Sequence, residues 1–140
     1  MPEVKDWNHG IIAEFRKNGG RVASFRHQPL LLLRHRGAKT GIERVNPLAY
    51  QELEGGYAVF ASKGAAPTNP DWYHNLIANP DVTIEVGDET VAVQARVAEA
   101  QERERIWEEQ KRRTPGFADY ERKTSRVIPV VILERVRATR

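Results

Sequence analysis

The chain of 140 residues has no cysteine, which excludes disulfide bonds, zinc–thiolate sites and thiol nucleophiles. It also has no apolar run approaching the roughly 20 residues that a helix needs to cross a bilayer. Residues 1–6 show no apolar stretch of the kind found in a secretory signal, so we expect a cytoplasmic protein. Weak contact of an N-terminal helix with the inner face of the membrane stays open.

Signatures of several other chemistries are missing as well. The four histidines, His9, His27, His35 and His74, have no metal-ligand spacing, so we expect no metal site and predict that each is exposed or hydrogen-bonded. No Gly-x-Ser-x-Gly elbow is present for acyl transfer. Basic residues do not alternate with aromatic ones along a strand, so we expect no nucleic-acid partner.

The composition that is present indicates one ordinary globular domain spanning residues 1–140. Hydrophobic residues make up 40% of the chain and charged residues 29%. The apolar fraction is enough for one core and higher than is typical of a disordered segment. The net charge of +3 favours an anionic partner, but it does not choose among nucleic acid, lipid and phosphorylated small molecules.

The spacing of apolar residues predicts a mainly β fold with helices at its periphery. A helix is predicted over about residues 6–18, with Asp6 as its cap. Six strands are predicted over residues 30–33, 43–53, 57–63, 82–86, 91–97 and 127–133. Pro47 places the second strand at an edge or a bulge, and Gly87 and Asp88 form a two-residue hairpin turn.

Three further helices are predicted between or beside these strands. One begins with Asn69 as its N-cap and Pro70 as its first helical residue, one covers residues 99–113, and a short one after Thr114 and Pro115 carries Tyr120. Most connections have hairpin length, whereas parallel pairing needs long crossovers. The prediction is therefore an antiparallel sheet or small barrel with peripheral helices, and a Rossmann domain is not expected.

Residues 36–44 form the first segment with chemical potential. Gly37 and Gly41 flank a Lys39-Thr40 pair between two predicted strands, and Arg44 follows shortly after. Backbone N–H groups freed by such a turn, together with the two cations, would suit a phosphate. The segment is not a P-loop, because Leu33 stands where the first glycine is required. The alternative is a hairpin with solvated charges.

Residues 60–73 form the second segment. A predicted strand ends in Ser62 and Lys63, passes through small residues including Gly64, and leads to the start of a helix. Small residues let a ligand approach the backbone, and a helix N-terminus offers N–H donors and a positive dipole. Trp72 and Tyr73 are more typical of a core than of a ligand contact. The phenol of Tyr120 could donate a proton or simply pack on the barrel.

Two long motifs in these segments give the chain a family resemblance. They read Gly-x-Lys-Thr-Gly-x-x-Arg-x-x-Pro-Leu over residues 37–48, and Ala-Ser-Lys-Gly followed by Pro-x-Trp-Tyr-x-Asn-Leu-x-Ala-Asn-Pro over residues 61–64 and 70–80. Together with residues 126–131 they resemble the deazaflavin-dependent nitroreductase family. The resemblance implies a split β-barrel of the FMN-binding type, a monomer or homodimer, and coenzyme F420 as hydride donor to a quinone, nitro compound or unsaturated lactone.

The resemblance also implies roles for individual residues. Cations and a hydroxyl would hold the phosphate and acidic tail of the coenzyme, small residues and a proline would line the deazaflavin, and three residues of the helix would close the pocket. These three sets are Lys39, Thr40, Arg44 and Lys63; Pro47, Ala61, Ser62 and Gly64; and Trp72, Tyr73 and Asn75. Tyr120 stands where the family often has a tyrosine beside the substrate. Two alternatives stay open: an FMN enzyme of the pyridoxamine-phosphate-oxidase type, and a non-catalytic coenzyme-binding protein.

Overall fold

The computed structural model describes residues 4–23, 29–62, 69–124 and 127–136, with side chains from residue 9 onward in the first helix. Within these residues there are four helices and six strands. The helices are α1 (Val4–Lys17), α2 (Asp71–Ala78), α3 (Ala100–Arg113) and α4 (Gly116–Lys123). The strands are β1 (Leu30–Arg36), β2 (Glu43–Leu53), β3 (Gly56–Phe60), β4 (Asp81–Val86), β5 (Glu89–Val97) and β6 (Val130–Arg135).

The strands close into an antiparallel barrel in the order β1-β2-β3-β6-β5-β4, and this confirms the predicted fold class. Short connections such as the Gly87–Asp88 turn between β4 and β5 force antiparallel pairing. That turn is also confirmed, since Val86 pairs with Glu89 and Gly87 has a φ of 57°. Such positive φ values are costly for residues with a Cβ, and glycine avoids that cost.

Alternation along β1 shows how the barrel is filled. Leu31 and Leu33 point inward, where they join interior residues of the other strands, whereas Leu30 and Leu32 point outward and pack under α1. Both faces of β1 are therefore covered, which explains why its leucines are consecutive rather than alternating with polar residues. On the opposite wall, α3 and α4 cover the outer faces of β3 and β6 around the fully buried Trp107.

Helix α2 closes one end of the barrel interior. Trp72 and Leu76 belong to the same buried cluster as Leu31, Leu33 and Ala61, although they come from a helix outside the sheet. The turn between β1 and β2 and the final residues of β3 lie at this same end, because consecutive antiparallel strands reverse direction. We call this region the α2 end of the barrel.

Strand β2 changes partners halfway along its length. Its first part, residues 43–49, pairs with β1, and its pairing with β3 covers only Tyr50 to Leu53. The first part therefore has no described strand partner on the side where β3 ends. Pro47 lies in this stretch, opposite Leu32, where its missing N–H costs no ladder hydrogen bond. The sequence predicted an edge or a bulge at Pro47; in the closed barrel β2 has a strand on each side, and Pro47 lies in the part of β2 that pairs with β1 alone.

Several predicted boundaries were wrong. Helix α1 begins at Val4, so Asp6 lies inside it and is not its cap, and β1 continues to Arg36 rather than ending at Leu33. Strand β3 ends at Phe60 rather than at Lys63, and β6 begins at Val130 rather than at Val127. After Phe60 the chain no longer pairs with β2, although the Ala61 amide still donates to the Pro129 carbonyl at 3.0 Å. The N-cap of α2 is Pro70, with an extended ψ of 157°, and not Asn69. The Pro70 carbonyl already accepts from the Tyr73 amide at 3.1 Å, so Pro70 starts the helix without adopting helical torsions.

The packing of the barrel interior predicts a contrast between two isoleucines. Ile84 is fully buried inside the barrel, whereas Ile77 on α2 is 57% exposed. We expect Ile84→Ala to lower the free energy of unfolding by about 2–5 kcal/mol, because it leaves a cavity among packed side chains. Ile77→Ala should change it by no more than about 0.5 kcal/mol. Urea unfolding of the two variants checks this, and equal losses would contradict the assigned interior.

Candidate functional site

The turn between β1 and β2 is a closed, internally bonded loop. The Gly37 amide donates to the Ile42 carbonyl at 3.0 Å, and the Gly41 amide donates to the Gly37 carbonyl at 2.9 Å. The Ile42 amide donates to the Thr40 hydroxyl oxygen at 3.2 Å. Gly41 has a φ of 70°, and a Cβ at Gly37 would lie 2.5 Å from the Thr40 hydroxyl oxygen. Both glycines of the first motif are therefore required by the shape of the turn.

Asn75 of α2 ties this turn to the second segment. Its side-chain oxygen accepts a hydrogen bond from the Ala38 amide at 2.9 Å, and its side-chain nitrogen lies 3.1 Å from Nδ1 of His35. Asn75 is only 7% exposed, so water has little access to replace these bonds. The two segments singled out in the sequence are thus joined at the α2 end by one buried amide.

His35 continues the same network into β2. Its Nε2 lies 2.6 Å from the Asn46 side-chain oxygen, which only accepts, so Nε2 carries the proton. Nδ1 then accepts from the Asn75 amide group, whose oxygen is already occupied by the Ala38 N–H. Every polar atom in this chain of contacts is satisfied when His35 is neutral and protonated on Nε2.

The surroundings of His35 favour this neutral form. The ring is 2% exposed, and its burial lowers the pKa of His35 below the ordinary value. Arg44, which lies opposite it on β2, pushes the pKa in the same direction, while the Asn46 hydrogen bond and the Asp71 carboxylate oppose it. Burial is the largest of these effects, because an imidazolium ion loses hydration inside the protein.

The predicted cations of the first segment, Lys39 and Arg44, are exposed. Neither has an ion pair within 4.0 Å to any carboxylate in the described parts of the chain. Arg34 on the outer face of β1 differs, because Glu43 and Glu85 lie 4.0 and 3.7 Å from its Nε. The two cations at the α2 end therefore keep their charge available for an anion, whereas the cation on the barrel wall is already neutralised by its neighbours.

The second segment reaches the α2 end through the last residues of β3. Ala61 is fully buried in the interior cluster next to Trp72, and Ser62 is half-buried. Pro47 lies half-buried on the outer face of β2, opposite Leu32. Lys63 and Gly64 lie outside the described residues.

The residues of α2 predicted to close the pocket have different environments. Trp72 is buried among interior residues, and Tyr73 is half-buried at the edge of that cluster, 5.5 Å from the ring of His74. Asn75 uses both of its amide atoms on other residues of the chain. The first role of Asn75 is therefore structural, and a direct contact with a ligand would be secondary.

Tyr120 lies in the helical layer outside the barrel. Its ring packs edge-on against Phe117 at 5.3 Å, and Phe117 packs against Phe60 at 5.3 Å. Phe60 is the last residue of β3, directly before Ala61 and Ser62. An aromatic row therefore runs from Tyr120 toward the α2 end, and this row was not predicted from the sequence.

Sequence reasoning missed the central parts of this site, His35 and Asn46. His35 follows Leu31 and Leu33 at the two-residue period of a strand, so it had to face the interior with them. The interior position of His35 could therefore be predicted from its spacing. Its hydrogen-bond partners could not, since Asn46 and Asn75 become neighbours of His35 only through the sheet and α2. No group of three or more His, Asp or Glu side chains in the described residues could hold a metal ion.

A closed six-stranded antiparallel barrel with peripheral helices is the split-barrel architecture that the sequence predicted. The model of the F420H(2)-dependent quinone reductase family matches residues 9–135. The chain belongs to this family, and the recognition made from its motifs is confirmed.

Relatives and solved structures agree with this assignment. An F420H(2)-dependent quinone reductase of Mycobacterium tuberculosis is 41% identical over 110 residues, covering 76% of this chain and 74% of the relative. A solved F420-H2 dependent reductase, FDR-A, is 43% identical with a TM-score of 0.70, over 76% of this chain and 94% of that one. A structure described as a domain-swapped dimer is 37% identical with a TM-score of 0.71, over 94% and 100% of the two chains.

As a member of this family the chain is an oxidoreductase that uses coenzyme F420. The FMN alternative is not favoured, because the sequence relatives are named for the deazaflavin coenzyme. The residues of the site fit an anionic group, because Lys39 and Arg44 are exposed without carboxylate partners in the described residues. The first part of β2 also lacks a described strand partner on one side. In the described residues no helix is long and apolar enough to cross a membrane.

The amide bridge of Asn75 generates a stability prediction. We expect Asn75→Ala to lower the free energy of unfolding by about 1–3 kcal/mol, since it leaves the buried Nδ1 of His35 without its donor and removes the acceptor of the Ala38 N–H. Asn79→Ala is the matched control, because Asn79 donates to the Arg36 carbonyl at the long distance of 3.5 Å in an exposed position. Urea unfolding of both variants should separate them, and a larger loss for Asn79→Ala would contradict the bridge.

Proposed function

We propose that this protein reduces a small organic acceptor, a quinone foremost, with reduced coenzyme F420 held at the α2 end of the barrel. The observation that carries the proposal is the 2.9 Å hydrogen bond from the Ala38 amide to Asn75. It brings the cationic turn of the first segment to the helix of the second segment. A ligand at this end would meet both segments together.

The anionic part of the coenzyme belongs at the turn between β1 and β2. Lys39 and Arg44 supply two charges there, and the Thr40 hydroxyl can donate its own proton while its oxygen accepts from the Ile42 amide. The internal bonds of the turn make it a preorganised site, which lowers the entropic cost of binding. Lys63 would add charge from the neighbouring loop.

The flat part of the coenzyme belongs between the free side of β2 and the end of β3. Pro47 provides a surface without an N–H there, and Ala61, Ser62 and Gly64 allow close approach of a ring to the backbone. Trp72 would support this place from the barrel interior, and Tyr73 and Asn75 would border it from α2.

Hydride chemistry is supplied by the coenzyme when it is bound, and the protein's part is to bind, orient and shield the reactants. This division explains why the described residues contain neither a metal cluster nor a catalytic triad. Held in contact with the ring, an acceptor would gain the orientational advantage of an intramolecular reaction. A proton from Tyr120 or from water would then complete the reduced product.

Binding of the coenzyme should depend on the two cations of the turn. We expect Lys39→Ala and Arg44→Ala each to weaken it by about 1–3 kcal/mol, as for hydrogen bonds to charged groups, and by less at high salt. Quenching of tryptophan fluorescence by oxidised coenzyme F420 measures the dissociation constant. Lys17→Ala is the matched control, because the exposed Lys17 ends α1 near the opposite end of the barrel.

Titrations with FMN and with a nicotinamide dinucleotide complete that experiment. Only the deazaflavin coenzyme should quench at micromolar concentration. Equal affinity of the wild type and the Lys39→Ala/Arg44→Ala double variant would remove the anchor from this turn.

Turnover tests the catalytic part of the proposal and the role of Tyr120. The wild type should oxidise reduced coenzyme F420 with menadione in steady state, and Tyr120→Phe should lower kcat by at least about tenfold if the phenol donates the proton. The phenylalanine ring keeps the packing on Phe117, so coenzyme affinity serves as the internal control. Unchanged kcat with quinone, nitro and lactone acceptors would remove Tyr120 from the mechanism, and binding without turnover would favour a coenzyme-binding protein.

A homodimer is also part of this proposal. The support is a solved relative described as a domain-swapped dimer, which matches almost the whole of this chain. Light scattering at several protein concentrations distinguishes the dimer from a monomer.

A further inference from the structure

We propose that His35 is a positioning residue whose neutral ring holds the cationic turn against α2, so that coenzyme affinity falls when His35 takes up a proton. The proposal rests on the function proposed above for the α2 end. The ring of His35 is hydrogen-bonded to Asn46 and Asn75, and it acts on the turn through Asn75. Its effect on the coenzyme is therefore indirect.

The argument begins with the two atoms of the Asn75 amide. The oxygen accepts from the Ala38 N–H at 2.9 Å, and the nitrogen donates to Nδ1 of His35 at 3.1 Å. A proton on Nδ1 would turn this acceptor into a second donor facing the amide nitrogen. Rotating the amide by half a turn would satisfy Nδ1, but it would then aim the amide nitrogen at the Ala38 N–H.

No orientation of Asn75 satisfies both neighbours once His35 is charged. Asn75 is 7% exposed and His35 is 2% exposed, so water is poorly placed to relieve the conflict, and an unpaired donor in such a place is costly. The Ala38 amide is the atom that the network can give up most easily, since it lies in an exposed turn. Protonation would therefore release the turn that carries Lys39 from α2.

Charged groups from every neighbouring element act on this ring. Arg44 on β2 disfavours a proton and Asp71 on α2 favours one, while burial outweighs both. A cavity of about 200 Å³ beside His35 is lined further by Arg34 and Arg36 of β1, Glu43 of β2 and Asp81 of β4. These four charged residues, two of each sign, line the cavity, and the pKa of His35 stays below its ordinary value of about 6.5.

The sign of the effect follows from that direction. At neutral pH the ring is uncharged and the turn is held. The loss of affinity begins below pH 6.5 and grows as the pH falls through the lowered pKa of His35 in the folded protein. A histidine on an exposed surface would produce no such coupling to the turn.

Two substitutions of His35 separate its acceptor from its donor. His35→Asn keeps an acceptor near the position of Nδ1 and cannot be protonated in this range. His35→Gln reaches toward Asn46 in place of Nε2 but leaves Asn75 without its acceptor. His9→Asn, at an exposed position of α1, is the control for removing a histidine elsewhere.

The first measurement is the dissociation constant of oxidised coenzyme F420, from tryptophan quenching between pH 5 and pH 8. We expect the affinity of the wild type and of His9→Asn to fall relative to that of His35→Asn as the pH is lowered through the pKa of His35, and His35→Gln to bind about tenfold more weakly at pH 7.5, the equivalent of one lost buried hydrogen bond. Comparison with His35→Asn removes the titration of the coenzyme itself. Identical pH profiles for the wild type and His35→Asn would overturn the proposal.

The second measurement needs no coenzyme. In nitrogen-15-labelled protein, the NMR signals of the ring nitrogens should report Nε2 protonation at pH 7.5. The hydrogen-exchange protection factor of the Ala38 amide should fall in the wild type, but not in His35→Asn, as the pH is lowered through the pKa of His35. An unchanged protection factor in the wild type would overturn the positioning role. If the network behaves as expected but the coenzyme binds at no pH, the proposed function fails and the network stands.

Discussion

The arrangement of the α2 end depends on one buried amide, that of Asn75. Its oxygen and nitrogen are shared between a backbone N–H of the turn that joins β1 and β2 and the ring of His35. Because Asn75 lies on α2, which also fills the end of the barrel with Trp72 and Leu76, the position of the turn is set by core packing. The turn between β1 and β2 lies on the surface, but it is positioned as precisely as the residues of the core.

The division of β2 gives this end its open side. If β2 paired with β3 along its whole length, β3 would occupy the place beside Pro47. If β2 did not pair with β3 at all, the barrel would not close. Pairing first with β1 and then with β3 satisfies both requirements. Pro47 prevents another strand from completing the ladder at that point, so the free side of β2 is kept for something other than a strand.

Two cations without ion-pair partners in the described residues lie at the α2 end. Several arginines elsewhere are paired, as Arg96 is with Glu102 and Glu134 and Arg16 is with Glu85. These exposed pairs contribute little to stability, but they neutralise part of the charge on the wall of the barrel. Lys39 and Arg44 keep their charge available at the end of the barrel where the family's anionic coenzyme is expected. A net charge of +3 alone gave no such location.

Much of the fold was readable from local pattern. Alternating apolar residues, the Gly87–Asp88 turn and hairpin-length connections predicted the antiparallel barrel, and the two motifs predicted the family. The errors fell at the ends of elements. The boundaries at Phe60 and Pro70 are determined by contacts with distant strands and helices rather than by the propensities of these residues. The network of His35, Asn46 and Asn75 was not predicted, because hydrogen-bond partners across a sheet and a helix leave no mark on local spacing.

By itself, then, the sequence determined the strand and helix types, the glycine-shaped turn and the presence of Lys39 and Arg44 in it. These depend on backbone torsions and on residue periodicity, which act over a few neighbours. Only the tertiary structure decided that Asn75 would meet Ala38, that His35 would be buried and neutral, and that the first part of β2 would have no described strand partner on one side. Those features depend on contacts between residues up to 40 positions apart, which exist only after the barrel has closed.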